Sequence, residues 1–470
     1  MKKLKERNIF NGLITAAIFV ATYLILRLTG IFSGILQNPD NLISYTVLFE
    51  IGVFLYAALL VFLGAFYLHH TWPKQWLKPN YIAAVGIFLL AVLLVSCLLA
   101  NWSLYAMPII LVPLVLTFIT DRRTGGVMTV LMVLAVLPFS MGAPASIFVY
   151  LFTGFLGTIL AGKVEQRREF PVLGLLLALS NLTIIFLYHS LFGFVLQNFV
   201  VESVISSAIT FVCVVGTVGL LSVFETAAGI ISKFGLLDLA NPTNKLLKEL
   251  TLRAPGTYYH SIVVGNLAEA AAEMVGANPV LARVAAYYHD IGKLKDPSMF
   301  MENIHGENPH DQMDPYESVT IITSHTREGV LLGKKHHLPP QVIEIIGQHH
   351  GDTQVAWFYN KAKKAAEGTD EVVDEEDFRY KEERPTSKEA AIIMLADSVE
   401  AATKALKDKS MESIAERIDT VVDSKVEDGQ LQNCPLTMQD ISVIKKQFMK
   451  ALEGYYHKRD EYPGGEQNGT

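Results

Sequence analysis

The sequence predicts an all-α protein in which a polytopic helical transmembrane bundle is followed by an all-helical cytoplasmic domain. The mean hydropathy of +0.33 and the apolar fraction of 51% exceed what a soluble globular protein needs. The apolar residues are concentrated before residue 228, and no alternating pattern predicts strands. We therefore predict a transmembrane domain at 1–228, an amphipathic linker at 229–252, the cytoplasmic domain at 253–458 and a disordered tail at 459–470.

Eight apolar stretches are long enough, or nearly so, to cross the hydrocarbon core, for which a helix needs about 20 residues. The first stretch lacks an obvious small-residue cleavage site and is interpreted as a retained anchor, not as a signal peptide. The fifth is short and is interrupted by Pro138. The predicted spans are the anchor at 9–29 and seven spans within 43–228, at 43–67, 80–100, 103–120, 125–141, 145–162, 171–196 and 203–228.

Basic residues in the short loops predict the orientation, because cytoplasmic loops carry the positive excess. They precede the first span and follow the second, fourth and sixth: Lys2, Lys3, Lys5, Arg7, Lys74, Lys78, Arg122, Arg123, Lys163, Arg167 and Arg168. The intervening loops, at 30–42, 101–102, 142–144 and 197–202, contain none. With an even number of spans, the N-terminus and the C-terminal domain are both predicted to be cytoplasmic.

Charge and cysteine usage narrow the function classes. Residues 1–228 carry 12 Lys and Arg against 8 Asp and Glu, whereas the remainder carries 27 against 38 and has a balance of −11. Proteins that bind nucleic-acid polymers usually present a basic surface, so this balance argues against a polymer but not against a small phosphate ligand held by metals. The three scattered cysteines predict neither a disulfide framework nor a thiolate zinc site.

Proline-containing starts and apolar spacing predict seven helices in the cytoplasmic domain. Two helices start at Ala254-Pro255 and Asn278-Pro279, and the second of them leads to His289-Asp290. The acidic, aperiodic stretch at 367–384 is predicted to be a solvated loop. The five further helices are predicted at 316–332, 340–349, 388–406, 411–427 and 438–456.

Histidine and aspartate residues in this domain form an ordered set: His260, His289, Asp290, His325, His349, His350 and Asp397. Imidazole and carboxylate ligands together suit Fe, Mn, Co, Ni or Zn, whereas an all-oxygen set would suggest Mg or Ca. A His-Asp dipeptide alone is weak evidence, but the carboxylate of Asp290 has two oxygens and can bridge two ions. Two bridged ions can polarise a phosphoryl group and hold a hydroxide for in-line attack, so the set predicts a metal-dependent phosphoesterase.

These motifs resemble those of the HD superfamily and, more closely, those of the 7TM-HD or PgpH-type family of bacterial membrane proteins. The resemblance covers the last seven spans as architecture. As sequence, it is carried by APGTYYHS, NPVLARVAAYYHDIGKL, ENPHDQM, ITSH, IGQHHG and IIMLADSVEAA. It implies one metal ion held by His260, His289, Asp290 and Asp397. It implies a second ion, bridged by Asp290, held by His325, His349 and His350.

The resemblance also implies the chemistry. The two divalent ions would be iron or manganese, and the substrate would be the second messenger cyclic di-AMP, opened to linear pApA. Lys293 of HDIGK resembles the lysine that neutralises a substrate phosphate, so Asp290 and Lys293 are the predicted catalytic residues. By proximity alone, Thr257, Tyr259 and Asn303 are candidates for contacts with the nucleotide.

The chain departs from the family outside the membrane. Members usually carry a large extracellular helical domain after the first span, whereas here only residues 30–42 follow it. The metals alone leave other substrates open, namely another cyclic dinucleotide, a nucleoside polyphosphate or a dNTP. A non-catalytic nucleotide receptor is disfavoured by the complete ligand set, and a transporter by the lack of paired midplane charges. A homodimer is compatible with the sequence, although no heptad pattern supports it.

Overall fold

The structure is a computed structural model that describes residues 2–28, 42–140, 143–193, 195–304, 306–368 and 372–456. The chain divides into two compact units, Met1–Gly235 and Leu236–Thr470. In the described ranges every regular element is a helix, beside one isolated antiparallel bridge between Gln354 and Arg379. The predicted all-α fold class is confirmed, whereas the predicted tail at 459–470 lies outside the described residues.

The first unit contains one helix for each of the eight predicted spans, together with the four-residue helix α3. Six of the helices in the described part of the chain are long and apolar enough to cross a membrane, namely α1, α2, α4, α7, α8 and α9. The chain is therefore a multi-pass membrane protein, and the count of eight spans stays a prediction. The helices are α1 Lys2–Leu28, α2 Leu42–Thr71, α3 Pro73–Trp76, α4 Pro79–Ala100, α5 Leu111–Ile119, α6 Arg122–Ser140, α7 Pro144–Ala161, α8 Phe170–Phe192 and α9 Leu196–Ala228.

The outer faces of these helices are apolar. Phe62, Leu175 and Val212 are each more than 60% exposed, and many other large apolar side chains share this environment. A soluble protein rarely exposes so much contiguous apolar surface. Such a surface is suited to contact with the lipid bilayer, as the mean hydropathy of the sequence predicts.

The predicted span at 103–120 is helical only from Leu111 onward. Residues 105–110 before it are irregular but buried, and irregular backbone at membrane depth requires partners inside the protein. Tyr150 of α7 supplies them: its hydroxyl accepts from the Met107 amide at 3.2 Å and donates to the Leu104 carbonyl at 2.7 Å. One tyrosine thus satisfies two backbone groups that an unbroken helix would have paired within itself.

A buried amide joins α7, α8 and α9. The side-chain nitrogen of Asn181 donates to Ser206 Oγ at 2.9 Å and to Thr210 Oγ1 at 2.8 Å, while its oxygen accepts from the Thr153 hydroxyl. Such interhelical hydrogen bonds matter in membranes, because burial of apolar surface cannot distinguish a neighbouring helix from lipid.

All seven helices that were predicted for the cytoplasmic domain are present in the second unit. They are α12 to α15 and α17 to α19, and their ends differ from the predicted ends by a few residues at most. Helix α16 was not predicted. The helices are α10 Lys233–Leu239, α11 Lys245–Arg253, α12 Pro255–Met274, α13 Pro279–Tyr288, α14 Pro315–Lys335, α15 Pro340–Gln348, α16 Ala356–Ala365, α17 Lys388–Lys404, α18 Met411–Glu427 and α19 Met438–Tyr456.

Side-chain caps begin three of the helices that carry the candidate ligands. Asn278 accepts from the Leu281 amide to start α13, and Ser387 accepts from the Ala390 amide to start α17. Asp314 accepts from two amides at the start of α14. These oxygens satisfy amides that have no partner within the helix. Helix α17 is the centre of the unit, since all residues of 390–396 are fully buried.

Part of the predicted linker at 229–252 forms a packed helix. Asn244 caps α11, and the leucines on one face, Leu246, Leu247 and Leu250, are buried. Leu252 on the other face is 73% exposed. The amphipathic pattern is therefore used for packing within the second unit, where α11 contacts α12.

We expect Leu250→Ala to lower the free energy of unfolding by about 2–5 kcal/mol, because it leaves a cavity at a fully buried position. Leu252→Ala makes the same change on the exposed face of the same helix and should stay within about 0.5 kcal/mol of wild type. Denaturant unfolding of the detergent-purified chain would measure both. Equal effects would show that α11 is a free connector.

Candidate metal centre

Five helices bring the candidate ligands together in the second unit. Histidine or aspartate side chains come from α12, the end of α13, the middle of α14, the end of α15 and the middle of α17. The positions next to a helix end are free to turn inward, as His289 and Asp290 do. The structure brings all seven predicted ligands to one place: His260, His289, Asp290, His325, His349, His350 and Asp397.

Asp290 lies between two groups of histidines. Its Oδ2 is 3.3 Å from His289 Nε2 and 3.8 Å from His260 Nε2. Its Oδ1 is 3.3 Å from His325 Nε2 and 3.7 Å from His349 Nε2. The two oxygens of one carboxylate thus face two separate sets of imidazole nitrogens, an arrangement that suits a bridge between two cations.

Backbone carbonyls fix the orientation of three imidazole rings. The Nδ1 of His289, His325 and His349 lies 2.7, 2.6 and 2.8 Å from the carbonyl three residues earlier in the chain. A carbonyl can only accept, so Nδ1–H donates and the proton is fixed on that nitrogen. The Nε2 of each ring is left to point at the centre, as a metal ligand requires.

Asp397 and Glu400 hold His260. Asp397 Oδ1 is 3.0 Å from His260 Nε2, and Glu400 Oε2 is 2.6 Å from His260 Nδ1. Glu400 therefore takes the part that backbone carbonyls take for the other rings. Glu400 was not predicted as a site residue from the sequence, although its position one turn after Asp397 on α17 was a usable signal.

The protonation equilibria differ between the two groups of histidines. Burial lowers the pKa of His325 to about 4 and lowers that of His350 well below its usual range. Burial also acts against a charge on His260, but hydrogen bonds to Asp397 and Glu400 raise its pKa to about 9. For His289 the charge of Asp290 likewise overcomes burial and raises the pKa to about 10. A cation between these groups would compete with the protons they share.

The donor set fits divalent metal ions. His289 Nε2 and Asp290 Oδ1 are buried and make no hydrogen bond within the described residues. An unpaired buried polar atom costs about 1–3 kcal/mol, so a bound cation at each of these atoms would remove a cost to folding. Imidazole nitrogens and carboxylate oxygens are the ligands that divalent transition metals use.

Gly292 explains why the segment after Asp290 can lie so close to α14. A Cβ atom at this position would be 1.8 Å from the His325 carbonyl oxygen and 2.5 Å from the Gly329 amide nitrogen. Both obstacles are backbone atoms and cannot rotate away. The glycine therefore allows Asp290 and His325 to approach each other.

Lys293 lies at the edge of the centre. Its Nζ is 2.8 Å from both Asp290 Oδ2 and Glu302 Oε1, and these charges raise its pKa in spite of burial. The lysine thus stays cationic and is 13% exposed toward the cavity described below. Its assignment as a residue that neutralises a substrate phosphate stays a prediction.

The three proposed nucleotide contacts are placed differently. Thr257 and Asn303 are buried and bonded to each other, since Asn303 Nδ2 donates to Thr257 Oγ1 at 2.8 Å. Tyr259 is 68% exposed. None of the three lines the cavity beside the centre, and their role as substrate contacts stays a prediction.

A cavity of about 520 Å³ opens beside the candidate ligands. His260, His325, His350 and Asp397 reach it from the metal side. The rest of the wall mixes charged and apolar side chains: Lys293, Phe300, Met301, Glu302, Ile322, Tyr380, Glu400, Ala401, Lys404 and Ala405.

Tyr380 comes from the segment at 367–384 that was predicted to be a solvated loop, and this prediction is wrong for Phe378 and Tyr380, which are buried. The Tyr380 ring stacks on His350 with a centroid distance of 4.3 Å, and Phe378 is fully buried. The Val355 amide donates to the Phe378 carbonyl, and the Tyr380 amide donates to the Thr353 carbonyl. The alternation of the aromatic residues Phe378 and Tyr380 with Arg379 is a pattern typical of a half-buried extended segment. The acidic residues around it made the whole stretch look solvated.

Two family models match the chain in succession. The model described as a 7TM receptor with intracellular HD hydrolase matches residues 47–232, and the model of the HD domain matches residues 257–402. The second range contains all seven candidate ligands. The chain belongs to the 7TM-HD family.

Two relatives of this 7TM-HD chain share one name. The cyclic-di-AMP phosphodiesterase PgpH of Bacillus subtilis is 39% identical over 320 residues, which are 67% of this chain and 44% of the relative. The protein of that name from Listeria monocytogenes is 34% identical over 390 residues, or 82% of this chain and 53% of the relative. The chain thus spans about half the length of these relatives.

A solved structure also matches the second unit. It is the HD domain of L. monocytogenes phosphodiesterase PgpH in complex with cyclic-di-AMP. The sequence identity is 44%, and the match covers 46% of this chain and all of that one with a TM-score of 0.44.

We expect Glu400→Ala to lower the affinity for divalent metal by about 10–100-fold, because residues that orient a ligating histidine have effects of that size. Glu400→Gln keeps an oxygen that can accept from His260 and should lose less. Metal titration of the detergent-purified chain, followed by elemental analysis, would measure both variants. Wild-type affinity in Glu400→Ala would mean that His260 is held without this carboxylate.

Proposed function

We propose that the second unit is a two-metal phosphodiesterase that hydrolyses cyclic di-AMP to linear pApA. The observation that carries the proposal is the placement of Asp290, whose two oxygens face two groups of histidines. The first ion would be held by His260, His289, Asp290 and Asp397. The second would be held by Asp290 together with His325, His349 and His350.

Two such ions, when bound, would supply Lewis acidity to a phosphoryl group and favour deprotonation of the attacking water. The side chains of the protein do the rest. Asp290 and Asp397 stay ionised, because neighbouring histidines hold the pKa of both carboxyls well below their usual range despite burial. Lys293 adds a positive charge to the cavity, which favours an anionic substrate. Phe300 and Tyr380 form a dry part of its wall.

Iron or manganese is the proposed metal. The proposed ligands are five imidazoles and two carboxylates, and a set so rich in nitrogen favours transition metals over Mg²⁺ or Ca²⁺. The family resemblance favours these two among the transition metals. The choice between them is an outcome of the assay below.

Cyclic di-AMP is the proposed substrate because two relatives are named for its hydrolysis. The acidic balance of residues 229–470 favours a small phosphate ligand over a nucleic-acid polymer. A cavity of about 520 Å³ has the size of a site for a small molecule. The homodimer considered above stays a prediction.

We expect the detergent-purified chain to convert cyclic di-AMP to pApA with Mn²⁺ or with anaerobic Fe²⁺, and to act less on cyclic di-GMP. Asp290→Ala should lose more than about a hundredfold in rate together with bound metal, because it removes the bridge between both groups of ligands. Chromatography of the linear products and elemental analysis would measure this.

Asp311→Ala, an exposed carboxylate in the same unit, is the matched control. Full turnover by Asp290→Ala would contradict the two-metal mechanism. No cleavage of either dinucleotide by the metal-loaded wild type would point to another phosphoester, such as a nucleoside polyphosphate or a dNTP, or to a non-catalytic receptor.

We also propose that the N-terminus and the catalytic unit are cytoplasmic in a bacterial plasma membrane. The support is the distribution of Lys and Arg, which occur in alternate loops of the first unit. A cytoplasmic catalytic unit would meet a second messenger in the compartment where such messengers act.

In a Cys434→Ser background, we expect Asn198→Cys to react with a membrane-impermeant maleimide in intact cells. Lys407→Cys should react only after permeabilisation. Both positions are exposed, and the remaining native cysteines, Cys97 and Cys213, are buried. Labelling of Lys407→Cys in intact cells would reverse the proposed orientation.

A further inference from the structure

One face of α17 forms a continuous wall of the cavity. The residues that line it are spaced by three or four positions, so they share one side of the helix. In chain order they are Asp397, Glu400, Ala401, Lys404 and Ala405. The wall thus starts at a candidate metal ligand, passes Glu400 and Ala401, and reaches Lys404 about two turns away, with Ala405 just after the end of the helix.

Lys404 differs from the other lysine of the cavity in its partners. Lys293 is bound to Asp290 and Glu302, each at 2.8 Å. Lys404 is exposed, and no carboxylate within the described ranges pairs with its ammonium. Glu400, one turn earlier, would be the usual partner on a helix, but it is hydrogen-bonded to His260.

The position of Lys404 suits a ligand that extends away from the metal centre. Seven residues of helix separate it from Asp397, which is about 10 Å along the axis. Helical side chains lean toward the N-terminus of their helix, so we expect the Lys404 side chain to extend over the turn of Glu400 and Ala401. The small alanine side chains leave that space open.

A cyclic dinucleotide has two phosphates, of which only one is cleaved at a time. If the scissile phosphate lies at the metal centre, the other lies further along the cavity, toward the wall that includes Lys404. We propose that Lys404 binds this second, uncleaved phosphate and so selects substrates with two phosphodiester groups. The inference rests on the proposed phosphodiesterase function and adds a specificity residue to it.

The test compares two substrates of the detergent-purified, metal-loaded chain, cyclic di-AMP and bis(p-nitrophenyl) phosphate. The second compound has a single phosphodiester and cannot reach Lys404 with another charge. Lys404→Gln should lower kcat/KM for cyclic di-AMP about tenfold relative to its own kcat/KM for the chromogenic ester, mainly through KM. Raising the salt concentration should lower kcat/KM for cyclic di-AMP more in the wild type than in Lys404→Gln, because salt screens the attraction between the lysine and the phosphate.

Two further variants separate this role from a structural one. Lys404→Arg keeps the charge and should keep most of the preference for cyclic di-AMP. Lys407→Gln makes the same change in charge at an exposed position outside the cavity and should match the wild type. If Lys404 only stabilised the end of α17, Lys404→Gln would change kcat/KM for both substrates by the same factor. That result would overturn the inference.

Two further outcomes would distinguish a failure of this inference from a failure of the proposed function. An unchanged ratio of the two kcat/KM values in Lys404→Gln, with an active wild type, overturns this inference alone. A wild type that cleaves the chromogenic ester but no cyclic dinucleotide overturns the proposed substrate, and the inference with it.

Discussion

The carboxylate of Asp290 is buried among histidine side chains, and the second unit is organised around it. A charge removed from water is costly unless it is paired, and this carboxylate is only 1% exposed. Its near neighbours come from α12, α13, α14 and α15, so a single charge connects four helices. The glycine two residues later lets this segment touch the backbone of α14. Together these features place the two carboxylate oxygens of Asp290 between two groups of histidine nitrogens.

The surrounding shell keeps the ligands in a state that can bind cations. Three histidines give their Nδ1 protons to carbonyls, two of which belong to the last turns of α13 and α15. Carbonyls at a helix end have no partner in the helix, so these bonds satisfy the backbone and orient the rings together. His350 is held differently, by the Tyr380 ring on one side. Behind it, Gly351 adopts a left-handed conformation with φ of 55°, and Arg384 clamps Asp352 with two hydrogen bonds of 2.8 and 2.9 Å.

The membrane unit follows the same rule in another solvent. Where its backbone is not helical, before Leu111, the Tyr150 hydroxyl hydrogen-bonds to one backbone amide and one backbone carbonyl. Where three helices meet, Asn181 bonds to hydroxyls on its neighbours. In these two places polar groups that are removed from water find partners within the protein. At the metal centre, His289 Nε2 and Asp290 Oδ1 make no hydrogen bond in the described residues. An imidazole nitrogen and a carboxylate oxygen are groups that a divalent transition-metal ion can bind.

The sequence by itself determined the all-helical class, the apolar membrane half, seven helices of the second unit and the seven candidate ligands. Hydropathy, caps and apolar spacing are local signals, and histidine next to aspartate is visible in any single chain. Tertiary structure decided what those residues do. His260 meets Asp397 and Glu400 across 137 and 140 positions of sequence, and such contacts leave no local pattern. Tyr380 was hidden in an acidic segment because its burial depends on a bridge to the strand-like residues after α15. The two lysines of the cavity look alike in sequence, and only the packed fold shows that Lys293 is bound to carboxylates while Lys404 is not. Burial and distance, which the folded chain alone defines, separate a ligand from a bystander.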